Sequence, residues 1–190
     1  MAGKRLVWKP GTMLYPLPAV LVSCGTLERP NAMTAAWAGT ICSDPSMCYV
    51  SIRRSRYSHG LILESGCYVV NLVTEGLCRA ADFCGVRSGR DFDKFAAAGL
   101  SPLPASRVSA PMIASSPLNI ECRVRKVVEL GSHDMFMAEV EAVDVDESLV
   151  DENGSLRLDR CPLVAYSHGE YRLLGKKLGT FGFSVRKKRR

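Results

Sequence analysis

Residues 119–145 read NIECRVRKVVELGSHDMFMAEVEAVDV, and this stretch decides the fold. Two runs rich in apolar and β-branched residues, 119–130 and 135–145, flank the polar tetrapeptide Gly131-Ser132-His133-Asp134, whose composition is that of a hairpin turn. From Phe136 to Ala142 every second residue is apolar, which is the period of a half-buried antiparallel strand. The stretch therefore predicts a long β-hairpin with its turn at 131–134.

Shorter elements extend outward from this hairpin in both directions. The runs between them are turn-rich, and residues 32–42 are rich in Ala and Thr and contain Trp37. Several antiparallel strands with short inserted helices favour a mainly β (α+β) barrel. No linker divides the chain, so we expect one domain over residues 1–185 and a basic tail at 186–190. The predicted strands are 17–26, 47–52, 67–72, 163–167 and 170–174. The predicted helices are a short one that follows the turn at 53–58 and continues through Glu64, and two more at 75–84 and 91–98.

Composition excludes several classes of protein. Of 190 residues, 47% are hydrophobic and 23% charged, which suits a globular core. The net charge of +6 comes mostly from residues 186–190, which are all basic and leave 20 basic against 19 acidic residues elsewhere. We therefore expect no nucleic-acid partner. The longest apolar runs are far shorter than the roughly 20 residues of a membrane helix, and the N-terminus resembles no secretion signal.

The eight cysteines do not form a recognisable framework. None are spaced as CxxC, and the three histidines are not near them in a zinc-type pattern, so we expect no metal site. Several lie within apolar stretches, where cysteine behaves as a small buried hydrophobe. Reduced thiols are typical of the cytoplasm, where we place the protein. Motif searches for nucleotide loops, zinc helices and serine hydrolase elbows also find nothing.

One segment has the composition of a phosphate site. Residues 51–58, Ser-Ile-Arg-Arg-Ser-Arg-Tyr-Ser, run from a strand end into a helix start and offer guanidinium groups, hydroxyls and free helix amides. Such groups bind a dianionic phosphate through hydrogen bonds and opposite charge. The alternative is a solvated loop in which Ser55 or Ser58 caps the helix. Because neighbours on an extended segment point to opposite sides, Arg54 should face away from a site formed by Arg53 and Arg56.

Five motifs, spread in order over roughly residues 10–183, resemble the flavin reductase-like, FMN-binding split-barrel family, and its flavoredoxin branch in particular. The resemblance implies a Greek-key split β-barrel with short peripheral helices, a homodimer and one FMN per protomer near the dimer interface. The motifs are Asn31–Trp37, Ser51–Arg53 with Arg56–Ser58, Val69–Leu72, Ser88–Phe95 and Gly131–Asp134.

The resemblance also implies roles for individual residues. The first motif would line the isoalloxazine ring of the flavin, and the turn after the strand would hold the phosphate. His133 would lie near the nicotinamide pocket as a catalytic candidate, with a plain turn histidine as the alternative. Met137 stands where relatives often have glycine, and we expect it to narrow the pocket. The implied FMN-binding residues are Asn31, Ala32, Met33, Thr34, Ala35, Ala36 and Trp37 at the ring, Ser51 at the ribityl chain, and Arg53, Arg56, Tyr57, Ser58, Ser88, Gly89 and Lys94 at the phosphate.

Three functions are compatible with the sequence. The first is an NAD(P)H:flavin oxidoreductase, in which a hydride passes from the nicotinamide to FMN and the electrons go on to an acceptor. The second is a flavoredoxin-type carrier that takes electrons from a protein donor. The third is an interaction module that acts through the basic tail.

Overall fold

The computed structural model describes residues 3–185 and places the long hairpin in a seven-stranded antiparallel sheet. With strands labelled in chain order, the sheet order is β2-β1-β5-β6-β7-β4-β3, and the hairpin is β6–β7. The strands are β1 (Val20–Gly25), β2 (Pro30–Ala35), β3 (Ala38–Ser43), β4 (Ser46–Arg53), β5 (Cys67–Leu72), β6 (Leu118–Glu129) and β7 (His133–Val145).

The sheet curls on itself to form a split barrel. Strands β2 and β3 are its two edges in the strand order, yet they follow one another in the chain with only Ala36 and Trp37 between them. This two-residue connection links the two edges directly, and the Ser51 amide donates to the Trp37 carbonyl at 2.8 Å, which extends the β3–β4 pairing up to the connection. The split in the barrel therefore lies at residues 36–37.

Apolar side chains from alternate strand positions fill the barrel. Val22, Val50, Ile52, Tyr68 and Phe136 are all fully buried in one cluster. Burying each such aliphatic or aromatic side chain contributes about 1.5–3 kcal/mol, so the interior supplies most of the driving force for closure.

Three short helices and two small sheets lie outside the barrel. The helices are α1 (Tyr57–Ser65), α2 (Cys78–Val86) and α3 (Lys94–Ala98), and 3-10 turns span Glu75–Leu77, Glu147–Leu149, Leu158–Arg160 and Phe183–Val185. One small sheet pairs Leu17–Pro18, Val164–Ser167 and Glu170–Leu173, and the other pairs Pro102–Leu103 with Met112–Ile113.

The predicted class, a mainly β Greek-key split barrel with short peripheral helices, is confirmed. The hairpin turn is shorter than predicted: the Leu130 amide donates to the His133 carbonyl and Gly131 has φ +88°, so β7 begins at His133 rather than Met135. The predicted helix at 91–98 begins only at Lys94, because the Asp93 side chain caps it by accepting from the Ala96 amide. Residues 32–42 contain the end of β2 and most of β3.

All eight cysteines are free thiols. Within residues 3–185, no helix is long and apolar enough to cross a membrane, and no cluster of three or more metal-ligating side chains occurs. The basic tail at 186–190 lies outside the described residues.

Candidate functional site

Two adjoining cavities open at the split of the barrel. The aromatic cavity, of about 440 Å³, is bordered by Trp37, His133 and three tyrosines. The basic cavity, of about 550 Å³, is bordered by arginines and Lys94. Both volumes are within the usual range of small-molecule sites. Three residues, Met33, Arg53 and Arg56, line both cavities and form the junction between them.

The edge of the sheet forms one wall of the aromatic cavity. Five consecutive residues, 33–37, line it. Because side chains on a strand alternate between two faces, an unbroken run of lining residues means that the backbone edge itself faces the cavity. Edge strands present peptide groups that the sheet leaves unpaired. The Thr34 hydroxyl donates to the Ala81 carbonyl of α2, which fixes this edge against the helix.

His133 and Trp37 meet at the aromatic cavity. Their rings pack edge to face, with centroids 4.9 Å apart and an interplanar angle of 79°. His133 lies opposite Arg53 in the β7–β4 register, and its Nδ1 is 2.8 Å from the Ser132 hydroxyl. Burial and then the charge of Arg53 lower the pKa of His133, so the imidazole is neutral at pH 7.

The turn after β4 brings positive charge and helix amides to the junction. Arg53 and Arg56 line both cavities, whereas Arg54 points away and pairs with Glu129 at 2.8 Å and with Asp134 at 3.0 Å. Arg56 caps α1 through its backbone only, so the first amides of the helix have no side-chain acceptor there. Helix N-termini of this kind attract anions.

Asn31, a buried polar residue, supports the basic cavity from behind. Asn31 donates from Nδ2 to the Ser58 hydroxyl at 2.8 Å and to Cys24 Sγ at 3.4 Å. Its Oδ1 lies so close to Gly89 that a Cβ there would come within 2.1 Å of it. The loop after α2 therefore packs directly on Asn31, and glycine is required at 89.

Lys94 is a buried ammonium group beside the basic cavity. It is 4% exposed, and Nζ donates to the carbonyls of Ala32 at 2.8 Å and Cys84 at 2.9 Å. Within residues 3–185 it forms no ion pair with a carboxylate. Burial is the main cause that lowers its pKa, and the nearby Arg56 adds to it. An anion in the basic cavity would relieve this uncompensated charge.

Most of the residues implied by the sequence lie around the two cavities, and two lie behind them. Asn31 and Ala32 do not border either cavity; they hold Ser58 and Lys94 in place instead. The expectation for Met137 was wrong, because it lies further along β7 between Tyr49 and Lys126, outside both cavities. The residues that border a cavity are Met33, Thr34, Ala35, Ala36, Trp37, Ser51, Arg53, Arg56, Tyr57, Ser58, Ser88, Gly89, Lys94 and His133.

Sequence reasoning missed two groups of lining residues. Arg87 and Arg90 follow α2, and a count of basic residues near the Ser88-Gly89 turn would have found them. The tyrosines at 15, 166 and 171 come from segments far apart in the chain. The small sheet brings 166 and 171 to the cavity, and no local sequence motif indicates that they lie there.

Comparison with known proteins places this geometry among flavoproteins. A flavoredoxin of Desulfovibrio vulgaris is 34% identical, with a TM-score of 0.87 over 96% of this chain and 99% of that one. An FMN-binding protein from Thermus thermophilus is 27% identical, with a TM-score of 0.78 over 95% and 99%. An FMN reductase (NADH) of Methylorubrum extorquens is 27% identical over 161 residues, which are 81% of this chain and 77% of that one. The model of the flavin reductase like domain matches residues 12–175. The chain belongs to the flavin reductase-like domain family.

Proposed function

We propose that the protein is an FMN-dependent oxidoreductase that takes electrons from NAD(P)H and passes them through bound FMN to an acceptor. One observation carries the proposal: an aromatic cavity and a basic cavity meet at Arg53 and Arg56, which border both. FMN likewise joins a flat aromatic ring to a dianionic phosphate.

The residues that border the two cavities suit the three parts of FMN: the ring, the ribityl chain and the phosphate. The ring suits the aromatic cavity, where the backbone edge at 33–37 offers peptide groups to its polar rim and Trp37 offers an aromatic surface. Ser51 lies between the aromatic wall and the junction, where the ribityl hydroxyls would pass. The phosphate suits the basic cavity, with Arg53, Arg56 and the start of α1 as its donors.

Bound FMN supplies the redox chemistry of the reaction. The chain positions the ring and offers peptide dipoles toward its polar rim, which favours a reduced, more negative ring. Arg53, next to both His133 and the junction, adds positive charge on the same side. Because the His133 imidazole is neutral, it contributes a hydrogen-bonding group and an aromatic surface rather than a second charge.

A second candidate function is a flavoredoxin-type carrier that takes electrons from a protein donor. The identity of 34% to a flavoredoxin over nearly the whole chain favours it. The two functions need the same FMN site and differ in the electron donor.

The visible spectrum of the purified protein tests both proposals. We expect a yellow protein with a flavin absorption band that releases FMN rather than FAD on denaturation. Anaerobic addition of NADH and NADPH then separates the functions, because bleaching within seconds supports the reductase and an unchanged spectrum supports the carrier. A colourless protein that fails to quench FMN fluorescence would overturn both.

We also propose that the protein is a homodimer. Its two terminal segments are mostly outside helices and strands and expose large apolar side chains; Trp8 is 69% exposed and Phe181 fully so. Exposed apolar groups of this size mark interaction surfaces. Sedimentation equilibrium should show a dimer, and a monomer with full FMN occupancy would contradict this proposal.

We place the protein in a reducing compartment, the cytoplasm. The support is the set of eight free thiols, which include the buried neighbours Cys48 and Cys122 with sulfur atoms 3.4 Å apart. Fractionation of the native host should recover it in the cytosolic fraction, and recovery from an oxidising compartment would contradict this.

A further inference from the structure

The basic cavity holds more positive charge than one phosphate can neutralise. Of the described residues that border it, five are cationic and Asp91 alone is acidic. A phosphate monoester at pH 7 carries a charge of about −1.5 to −2. With FMN phosphate in place, a net charge of about +2 therefore remains. The cations are Arg53, Arg56, Arg87, Arg90 and Lys94.

The arginines form two pairs with different positions. Arg53 and Arg56 follow β4 and border both cavities, so they are placed for a phosphate at the junction. Arg87 and Arg90 follow α2 and border the basic cavity alone. A flavin whose ring fills the aromatic cavity would thus engage the first pair and leave the second pair to another ligand.

The second pair is held in place without an acidic partner. The Arg87 guanidinium lies over the Phe92 ring at 5.3 Å, and Arg90 lies over the Tyr57 ring at 5.9 Å. Arg90 also donates from Nη1 to the Ser55 carbonyl at 3.2 Å. Neither guanidinium forms an ion pair with any carboxylate of residues 3–185. Guanidinium groups oriented by stacking and left without a counter-ion are typical phosphate ligands.

The Tyr57 and Phe92 rings also offer a surface on which a nucleobase can stack. Tyr57 borders the basic cavity and is 38% exposed, and Phe92, outside the cavity lining, is 40% exposed beside Arg87. Exposed aromatic rings next to cations stack well on purines. The cluster therefore has the chemistry of a site for a nucleotide.

We propose that Arg87 and Arg90 form a second phosphate subsite, beside that of FMN, for a phosphate of an adenine nucleotide. The inference rests on the proposed function, because FMN occupies the first subsite. Two ligands carry such a phosphate: a pyridine dinucleotide with a 2′-phosphate, which is NADPH, and FAD, whose adenylate would extend from the flavin.

Calorimetric titration of the FMN-loaded protein with adenosine 2′,5′-bisphosphate tests the subsite directly. We expect binding by wild type and an affinity at least tenfold lower in Arg87→Ala and in Arg90→Ala, with FMN affinity within about threefold of wild type. Arg29→Ala is the matched control, because Arg29 is exposed and borders neither cavity.

Two further measurements identify the source of the phosphate. If the ligand is the pyridine dinucleotide, NADP⁺ binds the FMN-loaded protein more tightly than NAD⁺, and Arg87→Ala removes the difference. If the ligand is FAD, the apoprotein binds FAD more tightly than FMN, and the same variant removes that difference. Either result supports the second subsite.

Two outcomes overturn the inference. One is that wild type does not bind the bisphosphate, or that both variants bind it as tightly as wild type, while FMN binds normally; this leaves the proposed function intact. The other is displacement of FMN by the bisphosphate, which would mean that the cavity holds one phosphate only. A protein that binds no FMN overturns the proposed function and this inference together, and the FMN titration reveals that case first.

Discussion

His59 Nε2 lies 2.8 Å from Asp134 Oδ2, and this contact joins helix α1 to the β6–β7 hairpin. The other carboxylate oxygen of Asp134 accepts from Arg54 Nε at 3.0 Å. Each member of this group is adjacent in the chain to a residue that borders a cavity: Arg53, Ser58 and His133. One buried carboxylate thus fixes the turn at residues 53–58 from its outer side.

The first prediction is that Asp134→Asn weakens FMN binding and spares riboflavin. The neutral amide has one acceptor oxygen in place of the two that contact His59 and Arg54, so the turn loosens around the phosphate while the ring site stays intact. We expect FMN affinity to fall about tenfold, the scale of one lost hydrogen bond to a charged group. Fluorescence titration of both flavins measures this. Asp159→Asn, which alters a surface ion pair with Arg157, is the control, and equal losses for both flavins would contradict the prediction.

The lowered pKa of Asp134 also predicts that the folded protein loses stability in acid. Burial opposes ionisation of Asp134, but the hydrogen bonds from His59 and Arg54 outweigh it and lower the pKa. A carboxylate whose folded pKa lies below its unfolded value of about 3.9 stabilises the fold fully above that pH. Its contribution disappears as the pH falls through the folded pKa. Urea unfolding of wild type and Asp134→Asn should therefore differ most above about pH 5 and converge toward pH 2.

The second prediction separates the three arginines of the turn. Arg53→Ala and Arg56→Ala should each weaken FMN binding by about 1.5–3 kcal/mol, roughly ten- to a hundredfold, with little effect on riboflavin. Arg54→Ala should cost much less, because this side chain pairs with Glu129 and Asp134 instead of lining a cavity. A larger loss in Arg54→Ala than in the other two would show that the turn faces the other way.

The third prediction concerns Gly89. A Cβ at this position would lie 2.1 Å from Asn31 Oδ1 and 2.8 Å from Tyr57 Cδ1. Gly89→Ala should force the loop away from Asn31, destabilise the fold by about 1–3 kcal/mol and weaken FMN binding. Gly60→Ala is the matched control, because Gly60 lies within α1 with open space around it. That variant should raise stability by up to about 1 kcal/mol.

The fourth prediction is that Lys94→Met destabilises the apoprotein. Methionine matches the length of the chain but leaves the Ala32 and Cys84 carbonyls without a donor. Each buried acceptor left unpaired costs about 1–3 kcal/mol, so we expect a loss of about 2–4 kcal/mol in urea unfolding. Lys126→Met, on the exposed part of β6, should change stability little. Equal stabilities of the two variants would contradict the structural role of Lys94.

The fifth prediction concerns His133 between pH 5 and 8. Because burial and Arg53 lower its pKa in the folded state, the unfolded chain binds more protons in this range. Stability due to this residue should therefore fall as the pH falls below its unfolded pKa of about 6.5, and level off below the folded pKa. Relative to wild type, His133→Gln should become more stable in acid. The opposite slope would show that the imidazole gains a proton in the folded protein.

The sequence by itself was enough to predict the class of fold and the position of a basic turn at a helix start. Alternation of apolar residues over 136–142 identifies a half-buried strand, because burial on one face is a property of neighbouring residues. The turn at 53–58 was recognisable for a similar reason, since its guanidinium groups and its helix start are adjacent in the chain. The opposite directions of Arg53 and Arg54 also follow from local backbone geometry.

The tertiary structure alone decided where the barrel opens and what gathers there. Strands β2 and β3 are consecutive in the chain yet form opposite edges of the sheet with five strands between them, and no local sequence pattern predicts this strand order. The folded chain then buries the Lys94 ammonium, places Asn31 behind Gly89 and brings Arg87 to the same cavity as Arg53 and Arg56. These contacts join residues tens of positions apart, and their free energy depends on burial and on exclusion of water, which the folded chain creates and the linear sequence does not display.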